Sequence, residues 1–488
     1  MNKYPQRLHT VSLTCFFIGV LFVFLKFYLA KNFGLLTPLE FVFHLKVPLT
    51  GTSGDQVWIF MKEVLLPTLI IFFPVRYTLK YLTQKVSFQK ISKYCLVTII
   101  ILSLITSSLV LNQLNFFSYL GSQFTYSSFI EDNYVDPQEV ELTFPTQKKN
   151  LIHIYVESLE VTYASKENGG ASDLDLLPNL TNLAKDNLSF SPTSSLGGFS
   201  QLPGTNWTSA ALVSQSSGLP VLLPLISRFY LQGSSFMPGA TTLGDILASK
   251  DYQQMVMFGS DAKFGGRNLY YQTHGNYEIF DLNTAKQEGL IPQDYSEWWG
   301  FEDSKLFSFA KDELRDLSSG SQPFELEILT ANTHSPDGLV EDSCTLNIED
   351  EYSKAIACSD QQLGEFISWL KAQDYYEDTL IIITGDHLSM DTNWFKDVSA
   401  DYSRQVYNVF INSANQTKDT TREFTSFDIF PTTLSALGVK IKGDKLGLGT
   451  DLFSDTKTLP ETYGISKLTT ELNKRSKYYE KKILKKNK

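Results

Sequence analysis

Three polar clusters stand where short apolar, β-rich runs end. Glu157 follows Leu151-Ile-His-Ile-Tyr-Val156, Asp386 and His387 follow Leu380-Ile-Ile-Ile-Thr384 after Gly385, and His334 lies shortly after Phe324–Leu329. Two carboxylates, a His–Asp pair and another His at equivalent strand ends are the donors that a hard or borderline divalent cation with an anionic substrate requires. Each residue also has a plain structural reading. Glu157 can cap a following helix, Asp386 can be a turn residue, and either His can be a hydrogen-bonded structural group. The combination favours chemistry, because the chain has six histidines and two of them stand at these ends. A hydroxyl nucleophile is available in Gly204-Thr-Asn-Trp-Thr-Ser-Ala-Ala-Leu212, where polar residues give way to an apolar, helix-like run. Thr208 then sits at a helix N-terminus, a position suited to phosphate, with Thr205 and Ser209 competing for that role or for an N-cap. A Thr hydroxyl is a poor nucleophile at neutral pH, and coordination to a divalent ion would lower its pKa and aim it.

The elements around these residues read as an α/β domain with a mostly parallel central sheet flanked by helices. Leu151–Val156, Gln253–Phe258, Phe324–Leu329, Leu380–Thr384 and Val406–Ile411 are predicted strands; Thr242–Lys250, Ser304–Leu317, Glu349–Ala372 and Asp428–Leu437 are predicted helices. Ligands of such sheets gather outside the carboxyl ends of the strands, which is where the polar clusters fall. The domain is expected over 150–455, after a juxtamembrane linker over 115–149 and before a polar, basic tail over 456–488.

The first 114 residues have a different character. Segments 11–30, 57–75 and 94–114 are candidate membrane spans, the second weakened by Lys62, Glu63 and Pro67. Lys3 and Arg7 precede the first, and Arg76, Lys80, Lys85, Lys90 and Lys93 fill the second connection without an acidic residue between Tyr77 and Lys93. The positive-inside rule then puts the N-terminus in the cytoplasm and everything after Leu114 outside it, in the periplasm or cell exterior of a bacterial inner membrane protein. Cys15 and Cys95 fall in spans. Cys344 and Cys358 fall in the outer domain, where an oxidising compartment favours a disulfide between them over two buried free thiols. The net charge of −11 and the external placement disfavour a nucleic-acid role. The lysine-rich tail is expected to be solvated, with contact to anionic lipid as the sharper alternative.

Several motifs carry a family resemblance. Asn150-Leu-Ile-His-Ile-Tyr-Val-Glu-Ser-Leu-Glu160, Leu202-Pro-Gly-Thr-Asn-Trp-Thr208, Trp299-Gly-Phe-Glu-Asp303, Thr333-His-Ser-Pro-Asp-Gly338, Gly385-Asp-His-Leu-Ser-Met390 and Asp428-Ile-Phe-Pro-Thr-Thr-Leu434 occur in this order. They resemble the ordered motifs of the phosphoglycerol transferase I and lipoteichoic acid synthase group of the alkaline phosphatase–sulfatase superfamily. The resemblance implies Thr208 as nucleophile, and Glu157, Thr208, Asp386 and His387 around one divalent ion, manganese in preference to zinc or magnesium. It implies His334, Trp299 and Arg267 as substrate-binding residues, with His334 also assisting proton movement. The implied activity moves phosphoglycerol from phosphatidylglycerol in the membrane lipid to a glycan acceptor through a covalent intermediate on Thr208. One departure is Ser335, where the transferases usually carry a second His.

Two other readings stand beside this one. A phosphoethanolamine transferase acting on a lipopolysaccharide or glycan would use the same nucleophile and metal on another headgroup. A degenerate, membrane-bound glycan-binding protein would need neither, and the complete ligand set argues against it. Hydrolytic sulfatase chemistry is disfavoured, because Thr208 is followed by Ser-Ala-Ala-Leu rather than by the x-Pro-x-Arg of a sulfatase nucleophile.

Overall fold

Runs of β-branched and leucine residues make the strands 151–156 and 380–384, and their near-continuous apolar character marks them as buried on both faces. The computed structural model describes residues 3–485 apart from 35, 48–50, 52–53, 85–88, 226–234 and 418. Of the lysines counted above, Lys85, Lys486 and Lys488 lie outside the described residues. Seven strands form one sheet: β1 (Asn150–Val156), β2 (Gly198–Phe199), β3 (Gln253–Phe258), β4 (Glu278–Phe280), β5 (Phe324–Leu329), β6 (Thr379–Gly385) and β7 (Val406–Ile411). Their spatial order is β2-β7-β6-β1-β5-β3-β4. β6, β1, β5, β3 and β4 run parallel, whereas β7 is antiparallel to β6 and β2 to β7. The sheet is therefore the mostly parallel α/β sheet expected, with the two short strands β2 and β4 at its edges.

Alternate residues of each strand feed two cores. Ile152, Ile154, Leu326, Ile328, Ile381 and Ile383 pack on one face with Leu306, Leu314, Ile356 and Phe366. Those partners come from two helices, Asp303–Ser319 and Glu351–Lys371. Leu151, Leu380, Ile382 and Phe410 pack on the other face with Ile429, Phe430 and Leu434 of the helix Ser426–Ala436. Pro431 offers no N–H to the Phe427 carbonyl. Gly449 packs against that carbonyl so closely that a Cβ there would lie 2.0 Å from it.

The second face also buries an acidic pair. Glu325 and Glu327 are fully buried on β5, held by Tyr277, Tyr271 and Gln254, and each keeps one carboxylate oxygen without a partner. Burial pushes the Glu325 carboxyl up to about 7, and burial together with Glu325 raises Glu327 further. A folded-state pKa above the unfolded one means that the folded chain holds protons the unfolded chain releases. Stability is then lost as pH rises from about 4.5 through about 7. Glu325→Gln is expected to remove that loss, so its advantage over the wild type in melting temperature grows between about pH 5 and 8 by the equivalent of about 1–3 kcal/mol. Parallel melting curves across that range contradict the assignment.

The chain divides into two units. One comprises 1–38 and 52–121, the other 39–51 and 122–488. The first contains three helices long and apolar enough to cross a membrane: Arg7–Asn32, Val57–Tyr81 and Tyr94–Gln113. The weak second candidate is accommodated locally. Glu63 receives the Lys31 ammonium, and Met61–Leu65 forms a π-helical turn in which the Leu66 N–H reaches the Met61 carbonyl, one way to pass Pro67 with its missing donor.

Two segments expected to be peripheral are built into the second unit. In the expected linker, Leu142–Thr143 pairs with Lys440–Ile441 and Val135 bridges Gly447. The segment shows no sustained period because its elements are short, the helices Phe116–Ser122 and Phe129–Asn133 and the strand Leu142–Thr143. The expected solvated tail is a correction: Leu459–Tyr463 and Ile465–Leu472 are helical, and Leu468, Leu472, Tyr479 and Ile483 are buried. The Tyr479 hydroxyl hydrogen-bonds the Leu222 N–H at 3.3 Å. Apolar residues four apart between the lysines make one docking stripe, while Lys477, Lys481 and Lys482 remain exposed and Lys474 pairs with Glu471. A further helix of this unit, Pro38–Lys46, lies in sequence between the first two apolar helices.

Candidate active site and metal centre

β1 lies between β5 and β6, and Val156 pairs with Gly385, so the residues that leave these two strands, Glu157 and Asp386, emerge side by side. Ser158 turns the chain after β1 with φ 54°, in the left-handed region. Its N–H donates to Asp386 Oδ1 at 2.8 Å and its hydroxyl to Glu157 Oε1 at 2.7 Å. From β5, Thr330 Oγ1 accepts the Glu157 N–H at 3.0 Å, and the Thr333 hydroxyl donates to the Glu157 carbonyl. Thr208 opens the helix Thr208–Ser217. The N–H groups of Thr208, Ser209 and Ala210 precede its first helical bond, from Ala211 to the Trp207 carbonyl at 2.9 Å.

These elements bring four side chains together. Ligand atoms of Glu157, Asp386 and His387 all lie within 4.8 Å of one another, and all three residues are buried. His387 Nε2 is 3.3 Å from Asp386 Oδ2 and 3.6 Å from Glu157 Oε1. Thr208 Oγ1 donates to Glu157 Oε2 at 3.3 Å and lies 3.5 Å from His387 Nε2. Thr205, the rival hydroxyl, instead bonds the Leu202 carbonyl at 2.9 Å within its own turn.

The donor set fits a divalent cation. Asp386 Oδ2 is buried and has no hydrogen-bond partner among the described residues. His387 Nδ1 lies 2.9 Å from the Leu388 carbonyl; a proton there leaves the Nε2 lone pair facing both carboxylates. Hard oxygens and one imidazole nitrogen match manganese, zinc or magnesium. The electrostatics of the cluster favour a positive charge among its carboxylates. Burial and the Glu157 charge push the Asp386 carboxyl up to about 7. Burial alone would lower the His387 imidazole, but the charges of Asp386 and Glu157 outweigh it and raise it to about 9. Burial likewise opposes the Glu157 carboxylate, while His334 and His387 hold it below its ordinary value. A cation that enters must displace the protons on Asp386 and His387, so divalent-metal affinity is expected to rise as pH increases through about 7 toward about 9. Calorimetry in buffers of different ionisation enthalpy reads the released protons directly. Affinity independent of pH over that range contradicts the ligand set.

The remaining candidates form a wall beside the cluster. Trp299 packs on His334 with ring centroids 4.8 Å apart and on Phe264 at 5.5 Å. His334 Nδ1 lies 2.6 Å from the Ser335 carbonyl. Arg267 is 5% exposed, stacked over Phe258 at 4.6 Å, and bonded to Ser260 Oγ at 2.9 Å and the carbonyls of Asp261 and Phe264 at 2.8 and 3.1 Å. The guanidinium therefore braces the turn that carries Phe264. Cys344 and Cys358 are disulfide-bonded, with Cα atoms 5.9 Å apart.

Sequence reasoning missed the layer behind the site. Glu160 and Arg404 form a buried pair, Nε to Oε2 at 2.8 Å, that also takes the Ser389 N–H and carbonyl and so ties the loop after Asp386 to the loop after Glu157. Asp303 accepts the N–H groups of Ala331 and Asn332 at 2.8 and 2.9 Å, fixing the approach to His334. Tyr352 donates to the Thr333 carbonyl and meets Ser389 Oγ at 2.6 Å. Glu160 and Asp303 both stood in quoted motifs, and a second carboxylate three residues after Glu157 was the available signal.

Residues 149–439 match the family model described as Sulfatase. Phosphoglycerol transferase I of Escherichia coli O127:H6 is 32% identical over 319 residues, which cover 64% of this chain and 40% of that protein. The protein of the same name from Shigella flexneri matches to the same extent. The chain thus spans about two fifths of the length of these curated relatives. The lipoteichoic acid synthase LtaP of Listeria monocytogenes superposes with a TM-score of 0.51 at 19% identity, over 67% of this chain and 82% of that one, a likeness of fold.

Proposed function

The chain belongs to the sulfatase family, and on that premise we propose that it is a membrane-anchored transferase that moves phosphoglycerol from phosphatidylglycerol to an extracytoplasmic glycan acceptor. The observation that carries this reading is the Thr208 hydroxyl, at a helix N-terminus and within 3.5 Å of Glu157 and His387, beside the partnerless Asp386 oxygen. Glu157, Asp386, His387 and Thr208 would hold one divalent ion, manganese in preference to zinc or magnesium. When bound, that ion lowers the pKa of the hydroxyl and offsets phosphate charge. The likeness to phosphoglycerol transferase I, at 32% identity, supports phosphoglycerol as the transferred group.

The cycle has two displacements. Thr208 Oγ gives up its proton and attacks phosphorus, the bond from phosphorus to the diacylglycerol oxygen breaks, and that oxygen takes a proton and leaves as diacylglycerol. An acceptor hydroxyl then loses its proton and attacks the phosphothreonine diester, the bond from phosphorus to Thr208 Oγ breaks, and Oγ takes a proton back. The N–H groups of Thr208, Ser209 and Ala210, which precede the first helical bond, stabilise the phosphoryl oxygens. His334 hydrogen-bonds the phosphate or moves the proton, while Trp299 forms an apolar wall for the glycerol. Arg267 acts by bracing Phe264 against Trp299. Three apolar helices keep the domain near its lipid donor.

The test is a product assay with phosphatidylglycerol labelled in its headgroup, in membranes that contain glycan acceptors. Label in the glycan and equimolar diacylglycerol support the reading. Label lost from phosphatidylethanolamine alone favours the ethanolamine reading instead.

A further inference from the structure

The helix Pro38–Lys46 belongs in sequence to the membrane region, yet it is part of the unit that holds the sheet. Glu40, Phe43 and Val47 fall on one side of it at three- and four-residue spacing and are 2%, 0% and 4% exposed, with His44 beside them. The Phe43 ring centroid lies 5.1 Å from that of Trp207, the residue immediately before Thr208. Trp207 is itself buried, and its indole N–H has no hydrogen-bond partner among the described residues, so the ring is held there by packing. One turn position on, the His44 ring lies 6.0 Å from Phe264, which packs on Trp299, which packs on His334. Two chains of ring contacts thus lead from this one helix, the first to the hydroxyl among the metal ligands and the second to the wall beside it. The Lys46 ammonium donates to the Pro224 carbonyl, fastening the end of the helix to the same unit.

We propose that this helix is a working part of the catalytic centre: Phe43 positions Thr208 through Trp207, and His44 positions Trp299 and His334 through Phe264. The inference rests on Thr208 being the nucleophile, as argued above. It gives the segment between the first two apolar helices a task beyond tethering. A ring shift at Trp207 moves the first residue of the helix Thr208–Ser217, and a displacement of about 1 Å at a nucleophile costs on the order of 100-fold in rate. Phe43 and His44 are positioning residues, since neither touches the reacting atoms.

The test is a double-mutant cycle on the full-length enzyme in nanodiscs, read both on phosphatidylglycerol and on a soluble diester, bis(p-nitrophenyl) phosphate. Phe43→Leu and Trp207→Phe are each expected to lower kcat about 10- to 100-fold, with bound metal retained. Because both act through one contact, the double variant should fall no further than the weaker single. His44→Ala should instead raise KM, because it loosens the wall and leaves Thr208 in place. Coupling seen on the soluble diester, with no reaction on phosphatidylglycerol, supports the role of the helix and overturns the donor assigned above. Losses that multiply in the double variant, or a Phe43→Leu enzyme with the wild-type kcat, overturn the role of the helix. If Phe43→Leu fails to fold, an unchanged KM in His44→Ala does the same.

Discussion

Thr208→Ala, folded and metal-loaded, is expected to lose turnover by on the order of 10³- to 10⁶-fold. The substitution removes the hydroxyl that lies 3.3 Å from Glu157 and 3.5 Å from His387, and it leaves the helix behind it unchanged in pattern. Alanine is a good helix residue, and the helix has no side-chain cap to lose, because Trp207 at the N-cap makes none. Stability should therefore change by less than about 1 kcal/mol. Thr208→Ser keeps the oxygen and should keep part of the rate. Headgroup release under single-turnover conditions makes the comparison, and near-wild-type release by the Ala variant transfers the nucleophile role to Ser209 or Thr205.

Asp386→Asn is expected to have the next largest effect, and it separates binding from folding. Its Oδ1 already serves the backbone, accepting the N–H groups of Ser158 and His387 at 2.8 and 2.7 Å, and an amide oxygen can keep both bonds. Its Oδ2 has no partner, and replacing it by an NH₂ group turns a metal-binding oxygen into a donor that faces His387 Nε2. Metal affinity should fall by more than the roughly 10- to 100-fold that loss of an outer partner costs. The metal-free protein should behave in the opposite way. Burial and Glu157 push Asp386 up to about 7, so above that pH the wild type carries, beside Glu157, a second buried negative charge that the Asn variant lacks. Metal-stripped Asp386→Asn is expected to melt no lower than metal-stripped wild type at pH values above about 7. Metal analysis by mass spectrometry and melting with and without added manganese read both halves. Wild-type metal content in the variant contradicts the assignment of the site.

The strands β1 and β6 were legible because parallel strands buried on both faces read as nearly continuous apolar runs, and Glu157 and Asp386 follow directly on them; β5, Phe-Glu-Leu-Glu-Ile-Leu, was legible instead by its period of two. The short strands β2 and β4 were not, since two or three residues carry no period. Glu157, Asp386 and His387 could be singled out by type and position. That Thr208 rather than Thr205 joins them depended on which hydroxyl its turn consumes, a fact of backbone geometry. The tail was misread because lysine count hid the spacing of Leu468, Leu472, Tyr479 and Ile483. Glu160, Asp303 and Arg404 escaped because a carboxylate that orders a loop and one that binds a metal look alike in sequence. The helix Pro38–Lys46 escaped because loops between membrane spans are read for charge rather than for packing.

The central claim is that Thr208 carries the phosphoglycerol between donor and acceptor. The most direct measurement is to mix the metal-loaded full-length enzyme with phosphatidylglycerol in the absence of acceptor, quench with acid within the first turnover, and map the peptides by mass spectrometry. The account predicts one phosphoglycerol adduct, on Thr208, formed at the rate of diacylglycerol release and lost when acceptor is added. Diacylglycerol released in a burst with an unmodified Thr208, or an adduct on another residue, contradicts it.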